Sequence, residues 1–89
     1  MGRAHRSRPK MLGAKLWLIR THFGLTQPAL IKQLSVKGEK LYPSSISLYE
    51  KGEREPSLLV LLRYARFAGV PMEVLVDDKI RLGHKDFPD

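Results

Sequence analysis

The sequence contains no cysteine, and none of its apolar runs approaches the length of a membrane span. The first absence excludes disulfides, thiolate metal sites and cysteine nucleophiles, and it fits a reducing compartment. The second predicts a soluble chain without a transmembrane helix. The basic beginning of the chain leads into an amphipathic pattern and not into a signal peptide, so we expect a protein of the bacterial cytoplasm or nucleoid.

Acidic residues are scarce in the first half of the chain. Residues 1–40 carry nine lysines and arginines against Glu39 alone, a balance of +8, whereas residues 41–89 carry seven basic and eight acidic side chains, or −1. A positive field on one part of a chain favours a polyanionic partner, either nucleic acid or an anionic membrane surface. Net charge also serves solubility, so charge alone leaves both interpretations open.

With 89 residues, 43% of them hydrophobic and 28% charged, the chain has the composition of one small globular domain. Strand signals are absent, and start and stop signals divide the chain into five helices. Their predicted bounds are about 9–22, 27–34, 43–51, 58–68 and 71–76, with a loop at 35–42 and an extended tail. The residues predicted for the core of the first four helices are Leu12, Leu16, Ile19, Leu30, Leu34, Ile46, Tyr49, Leu58, Leu61, Leu62 and Ala65.

A series of short motifs resembles the lambda-repressor-like, or xenobiotic-response-element, family of helix-turn-helix regulators. The motifs are FGLTQ at 23–27, IS at 46–47, EKG at 50–52 and PSL at 56–58, among leucines at helical spacing. Each is weak by itself, but their order and spacing together are specific. The resemblance covers about residues 12–78. It implies an all-α, five-helix domain whose third helix lies in the major groove of DNA.

This resemblance also implies an organisation and a set of DNA-binding residues. We expect a basic arm at 1–9, a helix-turn-helix domain at 10–78 and a tail at 79–89. In the third helix, we predict that the serines at 44, 45 and 47 and the leucine at 48 are exposed. Short basic arms such as residues 1–9 reach into a DNA groove or follow it. The predicted DNA-binding residues are Arg3, Arg6, Arg8, Gln27, Lys37, Lys40, Tyr42, Pro43, Ser44, Ser45, Ser47, Leu48, Lys51 and Arg54.

One spacing departs from the family pattern. Leu34 and Ile46 stand twelve positions apart, farther than is usual between the second and third helices, so an insertion somewhere within residues 37–42 lengthens this turn. The insertion carries Lys37 and Lys40 towards the expected DNA, where we predict phosphate contacts. An inert, solvated loop is the alternative.

Two charged residues occupy positions that the family often pairs. Arg20 ends the first helix and Glu50 ends the third. The resemblance implies a partly buried ion pair that supports the reading helix and does not touch bases. As a catalytic carboxylate, Glu50 would lack a second acid nearby.

The remaining polar residues do not form an enzyme's site. The three histidines, His5, His22 and His84, lie in different elements without metal-ligand spacing, so we interpret them as surface residues. The sequence shows no nucleophile paired with a base and no phosphate-binding glycine loop. We therefore expect no enzymatic activity, no metal and no cofactor.

These observations favour a transcriptional regulator, most simply a repressor, that binds a near-palindromic double-stranded DNA operator as a homodimer. The dimer contact is predicted within residues 71–87, because the fifth helix and the tail contain more apolar surface than one small core can bury. The side chains concerned are Met72, Val74, Leu75, Val76, Ile80, Leu82 and Phe87. Two alternatives remain open: an antitoxin with a toxin partner, and a nonspecific RNA or membrane binder.

Overall fold

The computed structural model describes residues 8–88, and within that range it contains helices and no strand. The predicted all-α class with five helices is confirmed. A short 3₁₀ helix at His84–Asp86 follows the five α-helices. These are α1 (Leu12–His22), α2 (Gln27–Leu34), α3 (Pro43–Glu50), α4 (Leu58–Ala68) and α5 (Met72–Val76).

Local chemistry sets most of the helix ends where the sequence predicts them. The hydroxyls of Thr26 and Ser57 cap α2 and α4 by accepting hydrogen bonds from the backbone three residues ahead, at 3.2 and 3.3 Å. Gly24 and Gly69 end α1 and α4 with positive φ, a conformation that glycine adopts without strain. The exception is the start of α1, which lies at Leu12 and not near Pro9.

A single hydrophobic core joins all five helices. Its members include Leu16 and Ile19 of α1 and the fully buried Tyr64 of α4. The prediction that Leu58 belongs to this core is wrong, because its side chain is 73% exposed, and Leu62 is only half-buried. The run LLVLL at 58–62 is apolar at every position, so periodicity could not identify the buried face. The structure buries Val60, Leu61, Tyr64, Ala65 and Ala68, which form one helical stripe.

The first and third helices touch at Gly13. A Cβ atom placed on Gly13 would lie 2.7 Å from the carbonyl oxygen of Glu50 and 2.9 Å from that of Tyr49. The backbone of α1 therefore rests directly on the carboxyl end of α3. Only glycine permits this approach, because any side chain would meet fixed backbone atoms.

Two charged side chains, each making two hydrogen bonds, join the beginning of α1 to the end of α5. The buried Lys15 ammonium donates to the carbonyls of Val74 (2.7 Å) and Asp77 (2.9 Å) at the carboxyl end of α5. The Asp78 carboxylate accepts the backbone N–H groups of Lys10 (2.8 Å) and Met11 (2.9 Å) just before α1. We call these four hydrogen bonds the α1–α5 clamp.

The Asp78 half of the clamp predicts a pH-dependent stability. Hydrogen bonds from the backbone of Met11 and Lys10 lower the pKa of Asp78 in the folded chain. Because the folded pKa is the lower one, this contribution is complete above the unfolded pKa and is lost as pH falls through the folded value. We expect the melting temperature of Asp78→Asn to fall less steeply than that of the wild type between about pH 5 and 2.

Thermal melts followed by circular dichroism at several pH values measure this difference. Glu73→Gln is the matched control, since Glu73 is an exposed carboxylate on α5. The control should keep the wild-type slope. Parallel curves for Asp78→Asn and the wild type would contradict the prediction.

The tail, which the sequence predicts to be extended, contains the short 3₁₀ helix and packs back against the ends of α1 and α4. The Phe87 ring is buried in the core cluster, 4.3 Å from the ring centroid of His22 and 5.6 Å from that of Phe23. Pro88 covers the carboxyl end of α4, where a Cβ on Gly69 would lie 2.6 Å from its Cγ. Long-range contacts of this kind leave no periodic signal in the sequence.

His22 and His84 lie at the surface in different elements, as predicted, but their side chains contact each other. Their Nδ1 atoms lie 2.7 Å apart, so one ring donates a hydrogen bond to the other, and the two rings stack. His5 lies outside the described residues. Among residues 8–88 no group of three or more histidines and carboxylates could hold a metal ion.

The packing also changes the expected dimer surface. Leu75 is fully buried and Phe87 is 6% exposed, both inside the same chain. These two side chains therefore need no partner, and that part of the dimer prediction is wrong.

None of the helices in the described part of the chain is long and apolar enough to cross a membrane.

Candidate nucleic-acid interface

The residues predicted to bind DNA differ in their exposure. Arg3 and Arg6 lie outside the described residues. Gln27 at the start of α2 is partly exposed, and so are Ser47 and Leu48 in α3. The exposed members of the set are Arg8, Lys37, Lys40, Tyr42, Pro43, Ser44, Lys51 and Arg54.

Ser45 is buried, and the prediction that it faces outward is wrong. Its side chain lies in the core face of α3, 7% exposed, next to Ile46. Its hydroxyl accepts the backbone N–H of Tyr42 at 3.3 Å and so stabilises the start of the helix. The remaining outward positions, Ser44, Ser47 and Leu48, are spaced as one stripe along α3.

The inserted loop, residues 37–42, is attached to the rest of the domain by a hydrogen bond. The Ser57 hydroxyl at the start of α4 donates a hydrogen bond of 2.8 Å to the Glu39 carboxylate. Gly38 beside it has φ +79°, which lets the chain turn sharply. Glu39 is thus anchored, while the exposed Lys37 and Lys40 lie on either side of it in sequence. The sequence alone did not predict this anchor.

A basic cleft lies at the opposite end of α3. It has a volume of about 290 Å³ between the start of α1 and the turn after α3. Three of the predicted DNA-binding residues line the cleft: Arg8, Lys51 and Arg54. Lys10, which the sequence analysis did not select, also lines it. Tyr49 and Glu55 are also in its wall. Four basic side chains around one cleft form a surface suited to a phosphate group.

The Arg20–Glu50 pair is present and doubly hydrogen-bonded. Arg20 Nε donates to Glu50 Oε2 at 2.6 Å and Nη2 donates to Oε1 at 2.9 Å, while Nη1 donates to the carbonyl of Leu25 at 3.0 Å. The side chains are 18% and 7% exposed. The hydrogen bonds to Glu50 raise the pKa of Arg20. One guanidinium therefore joins α1, the turn before α2 and the end of α3.

Comparison with protein families gives a match over residues 18–75 to a family described as "Helix-turn-helix". The matched segment is more than half of the chain and includes α2, the inserted loop, α3 and α4. No curated protein matches the chain.

Proposed function

The chain belongs to the lambda-repressor-like helix-turn-helix family, and from that membership we propose that it recognises a specific double-stranded operator through α3 as a transcriptional repressor. The proposal rests on the position of α3 between two groups of basic residues. Its outward stripe of Ser44, Ser47 and Leu48 stands between the lysines of the inserted loop and the basic cleft. A helix flanked by cations at both ends suits a major groove bordered by phosphates.

Base recognition through this stripe is modest in chemical terms. The hydroxyls of Ser44 and Ser47 can donate to or accept from several bases, and Leu48 can contact a thymine methyl group. Such contacts discriminate less than an arginine on guanine does. We therefore infer that Tyr42, which is 56% exposed beside the start of α3, and the shape of the DNA share the specificity.

Phosphate contacts are assigned to the elements around α3. Gln27 presents its partly exposed side-chain amide at the start of α2, where it can donate a hydrogen bond to a phosphate. The basic cleft contributes Arg8, Lys10, Lys51 and Arg54, and the arm adds Arg3 and Arg6. These contacts fix register and supply affinity, whereas the stripe on α3 supplies sequence preference.

The inserted loop provides a quantitative test of the phosphate contacts. Replacing both Lys37 and Lys40 with alanine should make the plot of log affinity against log salt shallower by up to about two units, roughly 0.9 per lost contact. Titration of labelled duplex at several salt concentrations measures the slope. The double substitution of Lys79 and Lys85, exposed lysines of the tail, is the control and should leave it unchanged. An unchanged slope for the loop variant would show that the loop lysines do not contact DNA phosphates.

The proposed assembly is a cytoplasmic homodimer without enzymatic activity that reads a near-palindrome. One short helix covers too few base pairs for an operator, and two copies related by a two-fold axis would read half-sites about 34–36 Å apart. Selection of bound duplexes from a random pool tests both points. We expect an enriched near-palindrome, and recovery of unrelated sequences at equal affinity would overturn specific recognition.

A further inference from the structure

Two histidines from distant parts of the chain face each other at the surface. His22 is the last residue of α1, and His84 is the first residue of the 3₁₀ helix in the tail, 62 positions later. Their Nδ1 atoms are 2.7 Å apart, while the ring centroids are 4.9 Å apart and the ring planes are inclined by 30°. Each Nδ1 atom therefore lies on the edge of its ring that is nearest to the other ring. We call these side chains the histidine pair.

The distance between the two Nδ1 atoms is close to the spacing that a zinc ion requires. Imidazole nitrogen is a preferred ligand of Zn²⁺ and of similar transition-metal ions. A tetrahedral Zn²⁺ binds nitrogen at about 2.0–2.1 Å, so two nitrogens on one ion lie roughly 3.3–3.4 Å apart. The histidine pair needs to open by only about 0.6–0.7 Å to reach this separation. Small side-chain rotations provide it, because His84 is exposed and His22 is half-buried.

The protons of the histidine pair permit an ion to replace the hydrogen bond. The bond uses one Nδ1 proton, because the opposite Nδ1 must be unprotonated to accept it. When an ion enters between the nitrogens, this proton moves through solvent to Nε2 of the same ring. Both Nδ1 atoms then present lone pairs to the ion, and both imidazoles remain neutral, which is the form that binds metals.

Aromatic rings hold one of the two ligands in place. The ring centroid of Phe87 is 4.3 Å from that of His22, and the ring of Phe23 contacts His22 edge-on at 4.9 Å. Phe87 is itself buried in the core cluster. A ligand whose ring is already fixed loses little freedom when an ion binds, and an apolar shell limits the access of water to the metal.

The local charge also favours a cation. His22 ends α1, where the helix dipole is negative. Lys85 and Asp86 follow His84 in the tail and carry opposite charges. Arg20, the other basic residue in the last turn of α1, is already in an ion pair. No third histidine or carboxylate joins the histidine pair in the part of the chain that the structure describes, so water would supply the remaining ligands.

We propose that the Nδ1 atoms of His22 and His84 bind one divalent transition-metal ion, with Zn²⁺ as the representative. The ion joins the tail to the carboxyl end of α1 and stabilises the packing of Phe87 between them. Neither histidine belongs to the surface assigned to DNA, so the proposal goes beyond the proposed function and is tested without DNA. The sequence did not indicate this site, because ligands 62 positions apart have no recognisable spacing.

Titration of the full chain with ZnCl₂ tests the proposal. Calorimetry should show one saturable site, and nuclear magnetic resonance of the imidazole nitrogens should show that the Nδ1 signals of His22 and His84 shift together. The melting temperature should rise by roughly 5–10 °C for each tenfold increase in zinc above the dissociation constant. MgCl₂ should have no effect, because Mg²⁺ prefers oxygen ligands.

His84→Gln removes one ligand at an exposed position, so it should fold and lose both the saturable site and the zinc-dependent rise. His5→Gln, which removes the remaining histidine of the chain, is the matched control and should keep both. The resonance measurement on the wild type needs no variant to fold. Absence of a saturable site in the wild type, a shift of only one histidine or of the Nε2 signals, unchanged binding by His84→Gln, or loss of binding by His5→Gln would each overturn the proposal.

Discussion

Glu50→Gln is expected to lower the melting temperature by more than about 10 °C. The substitution removes the negative charge beside the largely buried Arg20 guanidinium and replaces one of its two carboxylate acceptors with an NH₂ group that cannot accept a hydrogen bond. Removing one partner of a buried pair costs about 3–5 kcal/mol, because the remaining charge is unpaired. In a domain of this size each kcal/mol corresponds to roughly 4–8 °C.

The same variant should weaken every duplex to a similar extent. Glu50 acts through the position of α3 and not through a base, so its loss changes how the whole helix is presented. Thermal melts and a panel of duplexes that differ at single base pairs measure the two effects. Glu53→Gln removes one exposed negative charge three residues later and is the control, for which both properties should stay unchanged. A changed preference at one base pair with unaltered stability would show that Glu50 contacts DNA.

Gly13→Ala is expected to destabilise the fold and to impair DNA binding. The new Cβ would meet the carbonyl oxygens of Glu50 and Tyr49 and lie 3.1 Å from the backbone nitrogen of Gly52. Backbone atoms cannot rotate away, so α1 and α3 must separate. Overpacking of this kind costs about 1–3 kcal/mol. Alanine returns roughly 1 kcal/mol through its helix propensity, which leaves a net loss of up to about 2 kcal/mol.

Chemical denaturation gives the stability of this variant, and affinity is measured where it remains folded. The affinity should fall even there, because α3 carries the outward stripe and the basic cleft includes Gly52 in its wall. Ala14→Gly is the control at the next, exposed position. It loses helix propensity of about 1 kcal/mol but should keep DNA binding. If Gly13→Ala matched the wild type in both properties, the close contact between α1 and α3 would not be required.

The helix boundaries were accessible from the sequence because short-range chemistry determines them. Thr26 and Ser57 cap helices through atoms three residues away, and glycines at 24 and 69 end them. Face assignment was less reliable. An all-apolar run at 58–62 hid the outward position of Leu58, and the polarity of Ser45 suggested exposure although its hydroxyl serves the backbone.

The missing parts of the site depend on contacts between distant residues. The hydrogen bond from Ser57 to Glu39 and the position of Lys10 in the wall of the cleft arise only when the chain is folded. Gly13 did leave a signal, since an isolated glycine within a helical pattern often indicates a close approach. The burial of Phe87 had none, because the tail carries no period that relates it to the core.

The α1–α5 clamp has a kinetic consequence. It joins residues 59 to 68 positions apart, so its bonds close a loop that includes most of the chain. Closing long loops is entropically costly, and contacts of large sequence separation slow folding when they must form early. If the clamp forms after the rate-limiting step, it changes the folding rate little and the unfolding rate strongly. The pairing of Lys15 and Asp78 with distant backbone groups then sets how long a folded molecule survives before it opens.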